Sequence, residues 1–243
     1  MDFAITEKER TSEDGAVKDQ IKKEIIAEIN DISGAHSPYE VFSDWIRCCS
    51  LSICNTVHMI HDDVWQQRER DYIEAIRRYP DGTEYRFAGM LCRLGDLLTV
   101  EMTDALGEIY MEAGMGSKST GQFFTPFHLS EMVANMAIQD SIQSFMTKKT
   151  KLITLSEPSC GGGGMIIAAA KALKNAGINY QQYLDVVAQD IDWKGVYMTY
   201  LQCSLLGIRA TVVQGDTLSA PFDAKRTHPR HVMRTPAKMG ALI

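Results

Sequence analysis

The chain has no apolar run long enough to span a bilayer, no disulfide pattern and no surplus of positive charge. Each absence closes off a class. A membrane-crossing helix needs about 20 consecutive apolar residues, and none occurs. The opening stretch MDFAITEKERTSEDGAVKDQ mixes both charge signs around no apolar centre, so it does not read as a secretory signal. The six cysteines, Cys48, Cys49, Cys54, Cys92, Cys160 and Cys203, form no CxxC pair. Free thiols in a reducing compartment are the plain reading, and the expected location is the cytoplasm. The net charge is −6, so bulk charge does not attract nucleic acid and any such contact needs a local patch. One such patch lies at the end. After Asp223 the chain carries Lys225, Arg226, Arg230, Arg234 and Lys238 and no acid, which suits either a solvated tail or a contact with phosphate or a partner.

What is present is ordinary for a folded protein: 243 residues, 45% of them hydrophobic and 23% charged. Residues 1–15 are polar and read as a flexible N-terminus. A helical region follows over 16–119. In it Val17, Ile21, Ile25, Ile26 and Ile29 recur at helical spacing, Ser37-Pro38 opens a second helix, Asp62 or Asp63 a third, and EYRFAGMLCRLGDLLTVEMTDALGEIYMEAG one or two more. His58 and His61 lie three apart within a predicted helix, but no third ligand is near, so no metal site is expected.

The pattern changes after Gly114. Past a loop, GMGSKSTGQFFTP, and a helix starting near Pro126, strands and helices alternate: KLITLSEP, GGMIIAAAKALKNAG, YLDVVAQDID, WKGVYMTYLQCSLLG, RATVVQGDTL. Strand-helix-strand-helix-strand is the unit of a doubly wound parallel sheet, and its crossovers are expected to be right-handed. Ligands of such sheets lie outside the carboxyl ends of the strands. There the chain places LSEPSCGGGGM, with Gly161, Gly162, Gly163 and Gly164 leading into a helix. A phosphate-binding P-loop would need GxxxxGK[ST], but Met165-Ile166-Ile167 follows, and the spacing also fails GxGxxG. A methyl donor, S-adenosylmethionine, fits better. Glu157 at the first strand end would meet its ammonium group. Asp190 at the second would take the ribose hydroxyls, and Asp216 at the third would accept from the adenine amine. Asp192 reads as a helix cap. Taken singly, each acid is also compatible with a cap or a turn.

From Ala105 to Leu218 these residues resemble the adenine-specific N6 DNA methyltransferases, in particular the modification-subunit branch of type I restriction systems. TGQFFTP resembles that branch's loop closing over the cofactor, EPSCGGGGM its glycine motif, AQDID its ribose-binding acidic motif, GDTL its adenine-contacting motif and GEIYMEAG the helix before the loop. The resemblance implies an α/β fold, a Rossmann-like S-adenosylmethionine-dependent methyltransferase sheet preceded by a helical N-terminal region. It implies S-adenosylmethionine held within 120–222 by Gln122, Phe123, Phe124, Thr125 and Pro126 together with Glu157, the four glycines, Asp190 and Asp216. One of the two phenylalanine rings reads as a core residue.

The family's catalytic tetrapeptide, [DNS]PP[FYW], is missing. The nearest stretch is SAPF, with Ser219, Pro221 and Phe222 as its polar acceptor, proline and stacking aromatic, only three residues past Asp216. Residues 223–243 read as a basic tail with neither strand nor helix period. The sheet is therefore expected to be incomplete, three strands with an open edge that a partner or a second copy would cover. Three outcomes stay open: adenine methylation, on single strands or duplex; S-adenosylmethionine binding by a partner or regulatory subunit that does not react; or a remnant of little activity.

Overall fold

A computed structural model describes residues 7–116 and 124–240, with side chains from residue 13 onward. Five helices come first: α1 (Glu7–Ser33), α2 (Pro38–Val57), α3 (Asp63–Ile76), α4 (Thr83–Val100) and α5 (Ala105–Glu112). The polar start expected to be loose is thus helical from Glu7 on. Capping chemistry sets several boundaries. Ser37 and Glu40 form a reciprocal capping box around Pro38 at the start of α2, and the Asp62 side chain accepts from Trp65 N at 2.9 Å to open α3. The Asp104 side chain accepts from Gly107 N at 2.9 Å, which makes α4 and α5 two helices rather than one. Helix α2 ends at Val57, so His58 and His61 lie in the connection to α3 rather than on a helix. His61 stacks on Trp65 at 4.1 Å, and no group of three metal-ligating side chains forms among the described residues.

The remaining elements are α6 (Phe127–Met146), β1 (Ile153–Glu157), α7 (Gly164–Asn175), α8 (Tyr180–Tyr183), β2 (Leu184–Asp190), α9 (Trp193–Leu205), β3 (Arg209–Gln214), β4 (Val232–Arg234) and α10 (Pro236–Met239). The sheet runs β1-β2-β3-β4, with β1, β2 and β3 parallel and β4 antiparallel to β3. Two features depart from expectation. The tail supplies a fourth strand, whose Val232 and Arg234 pair with Val213 and Thr211. Thr235 locks it: its N–H donates to Ala210 O at 3.0 Å, while its hydroxyl accepts from Ala210 N at 3.0 Å and donates to Ile208 O at 2.8 Å. Lys238 adds an ion pair to Asp185 at 2.5 Å. A three-residue strand has no period to read, which is why the sequence hides it. The second departure is the edge: β4 covers part of β3, so among the described residues the edges without a strand neighbour are the outer edges of β1 and β4.

The helices are not a separate layer. Helix α9 packs on β2 and β3 with one side and on α2 with the other, and every residue from Lys194 to Ser204 is buried. A helix enclosed on every side lies in the middle of a structure, and the α9 side chains Lys194, Thr199, Gln202 and Ser204 are accordingly hydrogen-bonded there. Trp45, Phe42 and Ile46 of α2 are fully buried beneath it, with Trp45 Nε1 donating to Phe87 O at 3.1 Å. Side chains of this size each contribute about 1.5–3 kcal/mol when buried. Buried Lys22 of α1 forms ion pairs with Glu108 and Glu112 and so fixes α5, which carries Asp104 at its start. Helix α6 leans on α7 and β1 and leaves Leu129, Met132, Val133 and Met136 exposed along one side.

Candidate functional site

The carboxyl ends of β1, β2 and β3 meet the glycine loop in one hydrogen-bonded shelf. Cys160 N donates to Gln189 O at 3.0 Å. Gly161 N donates to Asp190 Oδ2 at 2.8 Å, and Asp192 N to Asp190 Oδ1 at 2.9 Å. Asp190 can sit there because α9 offers Gly195, where a Cβ would stand 2.9 Å from the Asp190 carboxyl carbon. The loop's carbonyls are held as firmly: Thr199 Oγ1 donates to Gly161 O at 2.9 Å and Gln202 Nε2 to Gly162 O at 2.6 Å.

Two of the four glycines adopt the left-handed backbone, Gly161 at φ +50° and Gly163 at φ +93°. The space above them is already occupied by protein. A Cβ on Gly161 would lie 3.3 Å from the Phe124 ring, on Gly162 2.7 Å from Asp104 Oδ2, on Gly163 3.1 Å from Thr199 Oγ1, and on Gly164 3.3 Å from Asp104 and Ser130. The sequence suggests a loop cleared for a ligand. The structure shows a loop also cleared for the helical region, which presses the buried Asp104 carboxylate onto it.

Asp104 and Gln202 carry that contact. Gln202 Nε2 donates to Asp104 Oδ1 at 2.8 Å and its Oε1 accepts from Leu106 N at 3.1 Å. Burial pushes the Asp104 carboxyl above its ordinary value, against the bonds from Gln202 and Gly107. Neither residue stands out in the sequence: Asp104 lies within a stretch that reads as one or two helices, and Gln202 is one of several polar residues in α9.

Glu157 is half-buried and accepts from Ser159 N at 3.3 Å. Burial raises its pKa, and the negative charge of Asp190 adds to the shift. A cation beside this pair would oppose both effects by favouring the charged carboxylates. Asp190, with two N–H donors in place, keeps lone pairs free for hydroxyl donors. The acceptor set therefore fits a molecule with a cationic group and neighbouring hydroxyls.

Phe124 meets Tyr110 in a T-shaped contact with centroids 5.2 Å apart, and its Cδ1 and Cε1 lie nearest Gly161. Phe124, Thr125 and Pro126 line a cavity of about 250 Å³ together with Asp104 and Glu108. Gln122 and Phe123 lie outside the described residues. Asp192 caps α9, accepting from Lys194 N at 3.0 Å.

Asp216 lies two residues past the end of β3. Its carboxylate accepts from Leu218 N at 2.9 Å and the Ser219 hydroxyl at 2.8 Å, and the Ser219 bond, then the Leu218 bond, hold its pKa below the usual range. Thr217 Oγ1 donates to Pro158 O at 2.6 Å, so this loop bridges to the one after β1. Ser219, Pro221 and Phe222 line an open depression of about 860 Å³ with Gln189, Gln214 and His231. Buried Gln189 fixes that stretch: its Nε2 donates to Ala220 O at 2.9 Å and its Oε1 accepts from Phe222 N at 3.0 Å.

Fold and site together define a Rossmann-like α/β protein with a hydrogen-bonded shelf of acids and glycines at its parallel strand ends. The model of the N-6 DNA methylase family matches residues 101–237, more than half of the 243-residue chain. The chain belongs to the N-6 DNA methylase family. No curated protein matches it significantly. Among solved structures, it is similar to one described as a class I S-adenosylmethionine-dependent methyltransferase of Listeria monocytogenes, at 11% identity and a TM-score of 0.44 over 82% of this chain and 54% of that one. It is also similar to the methyltransferase subunit of a type I restriction-modification system from Streptococcus thermophilus, at 15% identity and a TM-score of 0.43 over 84% of this chain and 41% of that one. The chain thus spans about half the length of these solved structures.

Proposed function

We propose that the chain binds S-adenosylmethionine on the strand-end shelf and transfers its methyl group to N6 of adenine in DNA. The observation that carries the reading is the half-buried Glu157 beside Asp190, with Asp190 tied to the glycine loop through Gly161 N at 2.8 Å. Glu157 meets the ammonium group, Asp190 the ribose hydroxyls, and the ring of Phe124 closes the shelf from the loop side. Gln122, Phe123, Thr125, Pro126 and Asp216 complete the assigned set. The cofactor supplies the methyl group. Ser219 Oγ and Ala220 O accept from the adenine N6 amine, Pro221 shapes the turn and Phe222 stacks on the base. Residues 120–222 form the cofactor-binding unit, residues 16–119 its helical cover, and the cytoplasm is its location.

A second reading, cofactor binding without transfer, is favoured by one observation. Ala220 O and the Phe222 N–H are already bonded to Gln189, and the Ser219 hydroxyl to Asp216. In that role the chain serves as a partner subunit, and a strand from another protein or a second copy adds to the outer edge of β1.

Transfer of labelled methyl groups to single- and double-stranded DNA separates the two. The first reading expects transfer that Ser219→Ala and Phe222→Ala reduce sharply. Cofactor binding with no transfer by the wild type establishes the second.

A further inference from the structure

Away from the shelf, a cleft of about 450 Å³ opens between α2, α3 and the start of α9. Its lining is unusual for a chain of net charge −6. Three arginines, Arg47, Arg68 and Arg230, line it together with a single carboxylate residue, Asp71. Arg68 is buried, at 8% exposure, yet neither it nor Arg230 has a carboxylate within 4.0 Å among the described residues. Arg68 instead donates to Val232 O at 3.1 Å and contacts His58 Nδ1 at 3.0 Å, and the His58 Nε2 lies 3.4 Å from Asp62. Burying a guanidinium without a direct counter-charge is costly, and an anion in the cleft would offset that cost. Arg47 is loosely held, 3.7 Å from Asp71 and 4.0 Å from Glu74, and Arg230 is exposed.

The lining is also aromatic, and Arg230 Nε donates to one of its rings, at His231 Nε2, over 3.1 Å. Trp193 stacks on Tyr197 with centroids 5.2 Å apart and on His231 at 6.0 Å, the rings within 24° and 22° of parallel. Trp193 is half-buried and stands three residues after Asp190. Guanidinium groups against an aromatic wall, in a volume of this size, suit a phosphate joined to a flat ring.

We infer that this cleft binds a nucleotide unit of a single nucleic-acid strand, phosphate toward Arg47, Arg68 and Arg230 and base against the Trp193–His231 wall. The cleft and the depression holding Ser219 and Phe222 share His231, and Gln214 Oε1 lies 2.7 Å from His231 Nδ1. A strand held in the cleft therefore points toward those residues. That continuation rests on the methyl-transfer reading; occupancy of the cleft does not.

The probe is a fluorescein-labelled dT12 strand, which contains no adenine and cannot be a methylation substrate. Its anisotropy is titrated with the full chain at two salt concentrations. Arg47→Ala/Arg230→Ala should bind dT12 at least tenfold more weakly and, having lost two phosphate contacts, show a log K against log salt slope shallower by about 1.4. Its melting temperature and its heat of S-adenosylmethionine binding should stay at the wild-type values. Trp193→Leu should weaken dT12 more than an abasic strand of the same length. Equal affinity of wild type and the double arginine variant overturns the proposal, as does an abasic strand or inorganic phosphate alone matching dT12. Failure here leaves adenine methylation standing, and failure of methylation leaves the cleft standing.

Discussion

Gly162→Ala isolates the contact between the helical region and the glycine loop. Gly162 is not among the residues with positive φ, so alanine meets no backbone strain there. The added Cβ would stand 2.7 Å and 2.8 Å from the two Asp104 carboxylate oxygens and 3.1 Å from the carboxyl carbon. Asp104 is fully enclosed and held by Gln202 and Gly107, so relief requires moving α5 or the loop. Overpacking of this kind costs about 1–3 kcal/mol, and in a chain of this size each kcal/mol lowers Tm by about 2–4 °C. The expected fall is about 2–12 °C by calorimetry. Gly95→Ala is the control: it lies in α4 with nothing within 4 Å of a Cβ, and it should be stabilising by about 0.5–1 kcal/mol. Combining Gly162→Ala with Asp104→Ala should recover at least about 1 kcal/mol relative to additivity. A Gly162→Ala variant as stable as wild type, or a strictly additive cycle, refutes the packing argument.

The same carboxylate predicts a pH effect. The folded-state pKa of Asp104 is raised by burial, so its contribution is most favourable below the unfolded pKa and is lost as pH rises through the folded value. Asp104→Asn keeps an acceptor for Gly107 and Gln202 without ionising. Its Tm should gain on wild type as pH rises from about 4 to about 7, and parallel Tm profiles would contradict this. Thr235→Val should cost about 1–3 kcal/mol in denaturant unfolding, because Ala210 N is left buried without an acceptor. Gln189→Leu should speed hydrogen exchange at Phe222, whose N–H loses its acceptor; unchanged protection would show the stretch is held by something else.

Much of the fold was legible because local chemistry and global packing agree. Ser37, Asp62 and Asp192 cap the helices they precede, and the parallel strands β1 to β3 read as short apolar runs ending in acids. The family followed from the order of the motifs rather than from any one of them. What escaped reading depends on distant contacts. Strand β4 exists because Thr235 brackets Ala210 and Ile208 across 25 and 27 residues. The Asp104–Gln202 pair spans 98 positions, and no local pattern announces it. The glycines were legible as glycines, but half of their reason lies in Asp104, Thr199 and Phe124, side chains from elsewhere in the chain.

The proposed cofactor shelf depends on the strand-end acids Glu157 and Asp190. Isothermal calorimetry with S-adenosylmethionine tests it directly, using the wild type, Glu157→Gln and Asp190→Ala, with thermal melts to confirm folding. Saturable binding by the wild type, at least tenfold weaker in Asp190→Ala and weaker in Glu157→Gln, is the predicted result. No heat from the folded wild type at millimolar ligand, or equal affinity in all three, would contradict it.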